Sequence, residues 1–144
     1  MNKTEYSAMV KQKSPGSKWY VNIPKAFLFG GTICLLGEFI RQFYLSLDLS
    51  VPVSGTFTSV TLVFIGAFLT GIGVYDKLGK HGGAGTAVPI TGFANSIVSP
   101  AMEFKTDGFI MGVGAKMFTV AGPVIVYGTI SSVVVGILHF IQSI

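Results

Sequence analysis

The sequence predicts an all-α integral membrane protein. Three full transmembrane helices are expected, together with a short helix that is broken or re-entrant, or else a thin fourth span. Three observations lead there. Half of the 144 residues are hydrophobic and 11% are charged, against roughly 25% charged in soluble domains. Mean hydropathy is +0.66. The apolar residues also gather into long stretches nearly free of charge, each about the length that a roughly 30 Å hydrocarbon core requires. Too few polar groups remain to cover a water-soluble core, so a soluble enzyme is not expected. Disorder is excluded as well, because disordered chains are poor in aromatics and this one has 12 Phe.

The first 24 residues read as a basic cytoplasmic tail, and residues 25–144 as the membrane domain. Up to and including Lys25 the chain carries Lys3, Lys11, Lys13, Lys18 and Lys25 against Glu5, a local net charge of +4. The other five bases and five acids cancel. A basic segment beside an apolar one stays in the cytoplasm by the positive-inside rule. Ser14, Pro15 and Gly16 suggest a flexible tail, and Trp19 and Tyr20 suit the membrane interface. The lysines are scattered and abut a membrane segment, so nucleic-acid binding is not expected.

The first span is predicted from Lys25 to Leu47. It carries Glu38 and Arg41, three residues apart and therefore on one helix face. The second, Thr56 to Tyr75, is uncharged. Its Gly66, Ala67, Thr70, Gly71 and Gly73 recur at three- and four-residue steps, which admits another helix at close range. The intervening loop, Asp48 to Gly55, has no Lys or Arg and is placed outside. Asp76, Lys77, Lys80 and His81 are placed inside, followed by a flexible loop containing Gly79, Gly82, Gly83 and Gly85.

Ala87 to Met102 offers 16 uncharged residues, short of the roughly 20 needed to span. Pro89, Gly92, Asn95 and Pro100 interrupt it, which predicts the broken or re-entrant helix. Gly108 to Ile141 exceeds one crossing. Lys116 interrupts it, and Gly122-Pro123 should kink or break the helix.

Ionisable groups at membrane depth are costly and need a reason. Glu38 and Arg41 either neutralise one another or face a polar path. Lys116 has no acid three or four residues away, and either snorkels to the interface or meets an anion. Asn95, with Ser96 and Ser99, either caps short helices or lines a constriction. Gly79 to Thr86 lacks the Gly-Lys pair of a phosphate loop. His81 and His139 have no partners at metal-ligand spacing, so neither a metal site nor a cofactor is expected. The single Cys34 excludes an intramolecular disulfide. With no catalytic constellation, the residues point to a channel or transporter subunit, or equally to a membrane scaffold.

One resemblance is more specific. HGGAGTAVPITGFANSIVSPAMEF from His81 to Phe104, GVGAKMF from Gly112 to Phe118 and AGPVIVYG from Ala121 to Gly128 resemble the stage V sporulation protein A family, in its AC/AE branch. Tyr6 and the stretch from Lys18 to Pro24 extend the likeness over nearly the whole chain. The resemblance implies a protein of the inner (forespore) membrane of endospores. It implies a subunit that moves dipicolinic acid, as its calcium chelate, into the developing spore and releases it at germination. It further implies a tension-responsive pore and partners resembling the AE and AD subunits of that family, in a homo- or hetero-oligomer. A non-conducting scaffold for a sporulation or germination complex is the alternative. The family offers no firmly assigned site residues, so the candidates come from the physical reading. These are Arg41 and Lys116 as anion-attracting groups, Glu38 restraining Arg41 or contacting calcium, and Asn95 as a lining donor. Gly92, Pro100 and Pro123 are the expected hinges.

Overall fold

In the computed structural model the described residues are Tyr6, Ser7, Met9, Val10 and 18–143. Lys3, Glu5, Lys11, Lys13, Ser14, Pro15 and Gly16, on which much of the tail assignment rests, lie outside them. The described part is helical, and no strand occurs among those residues. Helix α1 spans Trp19–Leu45, α2 Val51–Gly71, α3 Val74–Gly82, α4 Pro89–Glu103 and α5 Ala115–Gln142. Among the described residues, three stretches are long and apolar enough to cross a membrane: Trp19–Leu45, Val51–Gly71 and Phe109–Gln142. The protein is therefore an all-helical integral membrane protein.

Helices α1 and α2 form an antiparallel hairpin through a short turn at residues 46–50. Tyr44 and Thr61 join their hydroxyls across it at 2.8 Å, and the Tyr44 and Phe57 rings lie 5.5 Å apart. Pro52, in the first turn of α2, suits a position whose N–H has no helical partner. The buried residues of α2 are Ser54, Thr58, Leu62, Gly66 and Thr70, spaced four apart along one ridge. Small side chains on that ridge let neighbouring backbones close in. A Cβ on Gly66 would stand 3.2 Å from the Thr91 carbonyl oxygen of α4, and one on Gly37 3.2 Å from Leu62. Van der Waals contact between such surfaces is the main force joining helices in lipid.

Several boundaries differ from the sequence expectation. The first helix begins at Trp19, six residues before Lys25, and the second ends at Gly71 rather than Tyr75. Gly73 adopts the left-handed conformation (φ 71°) and turns the chain into α3. The predicted flexible loop around Gly79 is in fact this helix followed by a tight turn, Gly83–Thr86. Asp76 and Lys80 pair at 3.2 Å along α3, and Tyr75 buries its ring. The glycines serve close approach here. A Cβ on Gly85 would collide with the Ala26 carbonyl of α1, and one on Gly82 would stand 2.8 Å from Phe29.

Helix α4 is short but unbroken, about 22 Å long at 1.5 Å per residue. Pro89 opens it, Gly92 lies in its first turn and Pro100 in its last, where the lost hydrogen bonds are few. The expected break at Pro123 is also absent, since α5 runs continuously from Ala115 to Gln142. Apolar helices tolerate an internal proline where neighbouring groups and local adjustments satisfy the backbone. The irregular backbone lies earlier, in a π-helical turn, Phe109–Gly114, where the Val113 N–H reaches the Gly108 carbonyl at 3.0 Å. A Cβ on Gly112 would strike the Phe104 carbonyl, so this widened turn fits against the end of α4 only as glycine.

Candidate functional site

Polar side chains converge where α2, α3 and α4 meet. The Thr70 hydroxyl lies 2.7 Å from the Gly66 carbonyl, to which it donates, and 3.0 Å from the Asn95 side-chain oxygen. The Tyr75 hydroxyl donates to the Thr86 carbonyl at 2.6 Å and pairs with the Thr91 hydroxyl at 3.1 Å. Thr70, Tyr75, Thr86 and Thr91 are all buried. No buried side-chain nitrogen or oxygen among the described residues is left unpaired. Helices can carry these groups at membrane depth because each is paired within the bundle.

The network opens into a cleft of about 590 Å³ lined by Thr70, Asn95, Ser99, Asp76, Lys80 and Glu103 among others. Its floor offers neutral hydroxyl and amide groups. Two carboxylates, one from α3 and one from the last turn of α4, flank it together with an ammonium group. Hydroxyl and amide groups at such a surface can replace water around an ion without fixing one sign of charge.

The sequence candidates are dispersed over this framework. Asn95 lines the cleft. Glu38 and Arg41 lie on α1 and form a closed pair, with Arg41 Nε 2.9 Å from Glu38 Oε2 and a second Arg41 nitrogen 3.1 Å from Oε1. Gln42 also donates to Glu38 at 2.8 Å. Glu38 is exposed, and no hydrogen bond or ion pair among the described residues links this group to Asn95 or Lys116. Lys116, half-buried on α5, holds its ammonium 4.3 Å from the centre of the Phe104 ring, a cation–π contact. Gly92 and Pro100 flank Asn95 on α4, whereas Pro123 stands on the outer part of α5, past the last buried residue Ala121.

Sequence reasoning found Asn95 through its place in an interrupted apolar run. It took Thr70 only as a small residue and missed Tyr75, Thr91 and Glu103. The four-residue recurrence of Ser54, Thr58, Gly66 and Thr70 held the missing signal, since polar and small residues along one ridge mark an inward face. No cluster of three or more His, Cys, Asp or Glu suited to a metal occurs among the described residues.

Comparisons with known proteins agree with this architecture. The model of the SpoVAC/SpoVAEB sporulation membrane protein family matches residues 22–138. Stage V sporulation protein AC of Bacillus subtilis (strain 168) is 44% identical over 139 residues, covering 96% of this chain and 93% of that protein. No solved structure matches. With both the helical membrane core and the cleft inside the matched region, the chain belongs to the SpoVAC/SpoVAEB family of sporulation membrane proteins.

Proposed function

We propose that this protein is a channel or transporter subunit that moves dipicolinic acid, as its calcium chelate, into the developing spore and out again at germination. The observation that carries the reading is the convergence of two polar pairs, Thr70 with Asn95 and Tyr75 with Thr91, on a cleft flanked by both signs of charge. A purely structural bundle gains little from such groups, because interhelical hydrogen bonds in membranes contribute only about 0.6 kcal/mol on average. A chelate of a divalent cation with a dicarboxylate presents both signs of charge and matches a cleft with carboxylates and an ammonium.

In this reading Asn95 lines the path, and Lys116 supplies fixed positive charge near its mouth. Glu38 and Arg41 enter the path only where a neighbouring subunit closes it against the outer face of α1. Gly92, Pro100 and Pro123 are the positions at which the helices change shape. Opening follows membrane tension, favoured by glycine-thinned contacts such as Gly66 on Thr91 that admit a second packing of different area. The subunit works in the inner forespore membrane with its N-terminus cytoplasmic, assembled with copies of itself or with AE-like and AD-like subunits. It performs no catalysis.

Recording current from the purified protein in planar bilayers under rising tension tests this. Stepwise, tension-dependent currents are expected, with selectivity altered by Asn95→Asp. Silence of the single chain, followed by currents once an AE-like subunit is added, assigns the pore to the assembly. Silence in both settings, with the assembly intact, overturns the reading in favour of a non-conducting scaffold.

A further inference from the structure

We propose that the groove between α1 and α3 binds one anionic phospholipid, with its phosphate against Lys25, Lys80 and His81 and an acyl chain along Leu28, Ile33 and Leu78. Two adjacent cavities carry the argument. The first, about 480 Å³, is bounded by Trp19, Ile23 and Lys25 of α1 and by Lys80 and His81 at the end of α3. The second, about 270 Å³, is lined by Leu28, Ile33, Tyr75 and Leu78. Its lining is overwhelmingly carbon.

The two cavities succeed one another along both helices. On α1 the lining passes from Lys25 to Leu28 and Ile33 within about two turns. On α3, which runs back along it, the lining passes from His81 to Leu78 and Tyr75 within about two turns. Phe29, which lines the second cavity, packs on Gly82, which lines the first. The result is a basic end beside a tryptophan at the start of a membrane-crossing helix, leading into an apolar trough. An anion alone matches only the first half, and a neutral lipid only the second. A phospholipid with an anionic headgroup matches both, and Trp and Lys are residues of the membrane interface.

The electrostatics agree. No Asp or Glu lines the basic cavity, although Asp76 holds Lys80 from the α3 side at 3.2 Å. His81 Nδ1 lies 2.9 Å from the Lys77 carbonyl oxygen; in the imidazolium form both ring nitrogens carry hydrogen, so Nε2 can then donate to a headgroup phosphate. Lys18, immediately before Trp19, adds positive charge at this end, and the basic sequence of the preceding tail makes it a poor occupant of a basic cavity.

Native mass spectrometry of the full chain in detergent, with equal amounts of dioleoyl phosphatidylglycerol and dioleoyl phosphatidylcholine, tests the proposal. The wild-type protein is expected to retain one phosphatidylglycerol in preference to phosphatidylcholine. The double variant Lys25→Gln/His81→Gln should lower that preference about tenfold, as expected for removing one to two charges near a lipid headgroup. Thr32 also lines the second cavity, and Thr32→Trp, which fills the apolar trough, should lower retention of both lipids. Circular dichroism verifies that each variant remains helical. The proposal fails if the wild type shows no preference. It also fails if the preference survives Lys25→Gln/His81→Gln but disappears in Lys11→Gln/Lys13→Gln, which would place the attraction in the tail. Displacement of the lipid by excess inorganic phosphate, with Thr32→Trp without effect, would make this a small-anion site and overturn the lipid assignment.

Discussion

The Thr70 hydroxyl lies 3.0 Å from the Asn95 side-chain oxygen, joining a membrane-crossing helix to the short helix α4 beside the cleft. Thr70 is buried and its hydroxyl already donates to the Gly66 carbonyl, so its single hydrogen is shared between two acceptors and the share directed at Asn95 is weak. Asn95→Leu should therefore change stability modestly, by about 1 kcal/mol or less. If Asn95 lines the path, the same change should suppress solute passage several-fold. Thermal unfolding in detergent and chelate release from proteoliposomes measure the two effects separately. Equal, small changes in both would return Asn95 to a structural role.

The contact of Gly85 with the backbone of Ala26 predicts a sharper response. Gly85→Ala places a methyl group against a carbonyl that cannot move without shifting α1. A loss of about 1–3 kcal/mol, the usual range for overpacking, is expected. Gly136→Ala is the control, because nothing lies within 4 Å of a Cβ there and alanine favours helix by up to about 1 kcal/mol. Chemical or thermal unfolding of both variants checks the contrast.

The Glu38–Arg41 pair predicts a double-variant signature. Removing one partner leaves an uncompensated charge on an apolar helix, which membrane insertion disfavours. Glu38→Gln or Arg41→Gln alone should lower the yield of membrane-inserted protein. The double variant should restore it. Fractionation and immunoblotting of cells expressing the three variants decide this, and failure of the double variant to recover would mean that Arg41 serves something besides Glu38.

Lys116→Glu should remove the contact with the Phe104 ring, worth about 0.5–2 kcal/mol, and reverse the local charge. If Lys116 stands near the mouth of the path, the reversal potential in a salt gradient should move toward cation selectivity. Lys116→Met, which loses the charge but keeps an apolar stem on the ring, separates packing from electrostatics. An unchanged reversal potential in Lys116→Glu would leave Lys116 outside the path.

Much of the fold was legible because burying polar backbone in lipid leaves few options. Long uncharged stretches become helices, and three of the expected spans are present with shifted ends. What the sequence concealed depends on contacts between segments. Helix α3 looks like a glycine loop until Ala26 and Phe29 are set against Gly85 and Gly82. Pro123 looks like a break, yet α5 continues through it, while the π-helical turn at Phe109–Gly114 carries no proline to announce it. Of the candidate cleft, the sequence reading singled out Asn95 and Ser99 as lining groups. Thr70, Tyr75 and Thr91 are ordinary helix residues in sequence, and only their convergence in space sets them apart.

Beyond Gly122 every described residue of α5 is exposed, although Ala121 is 2% exposed. One turn-by-turn continuation of the Ala121 face carries Gly128, Ser132 and His139. The opposite side carries Ile130, Val134, Ile137 and Ile141. Some twenty residues of helix thus leave the bundle with nothing in the described chain to fix their direction. With no packing partner among the described residues beyond Gly122, the tilt of that arm depends on what surrounds it in the membrane. The area the protein occupies in the membrane plane therefore depends on its surroundings at that end.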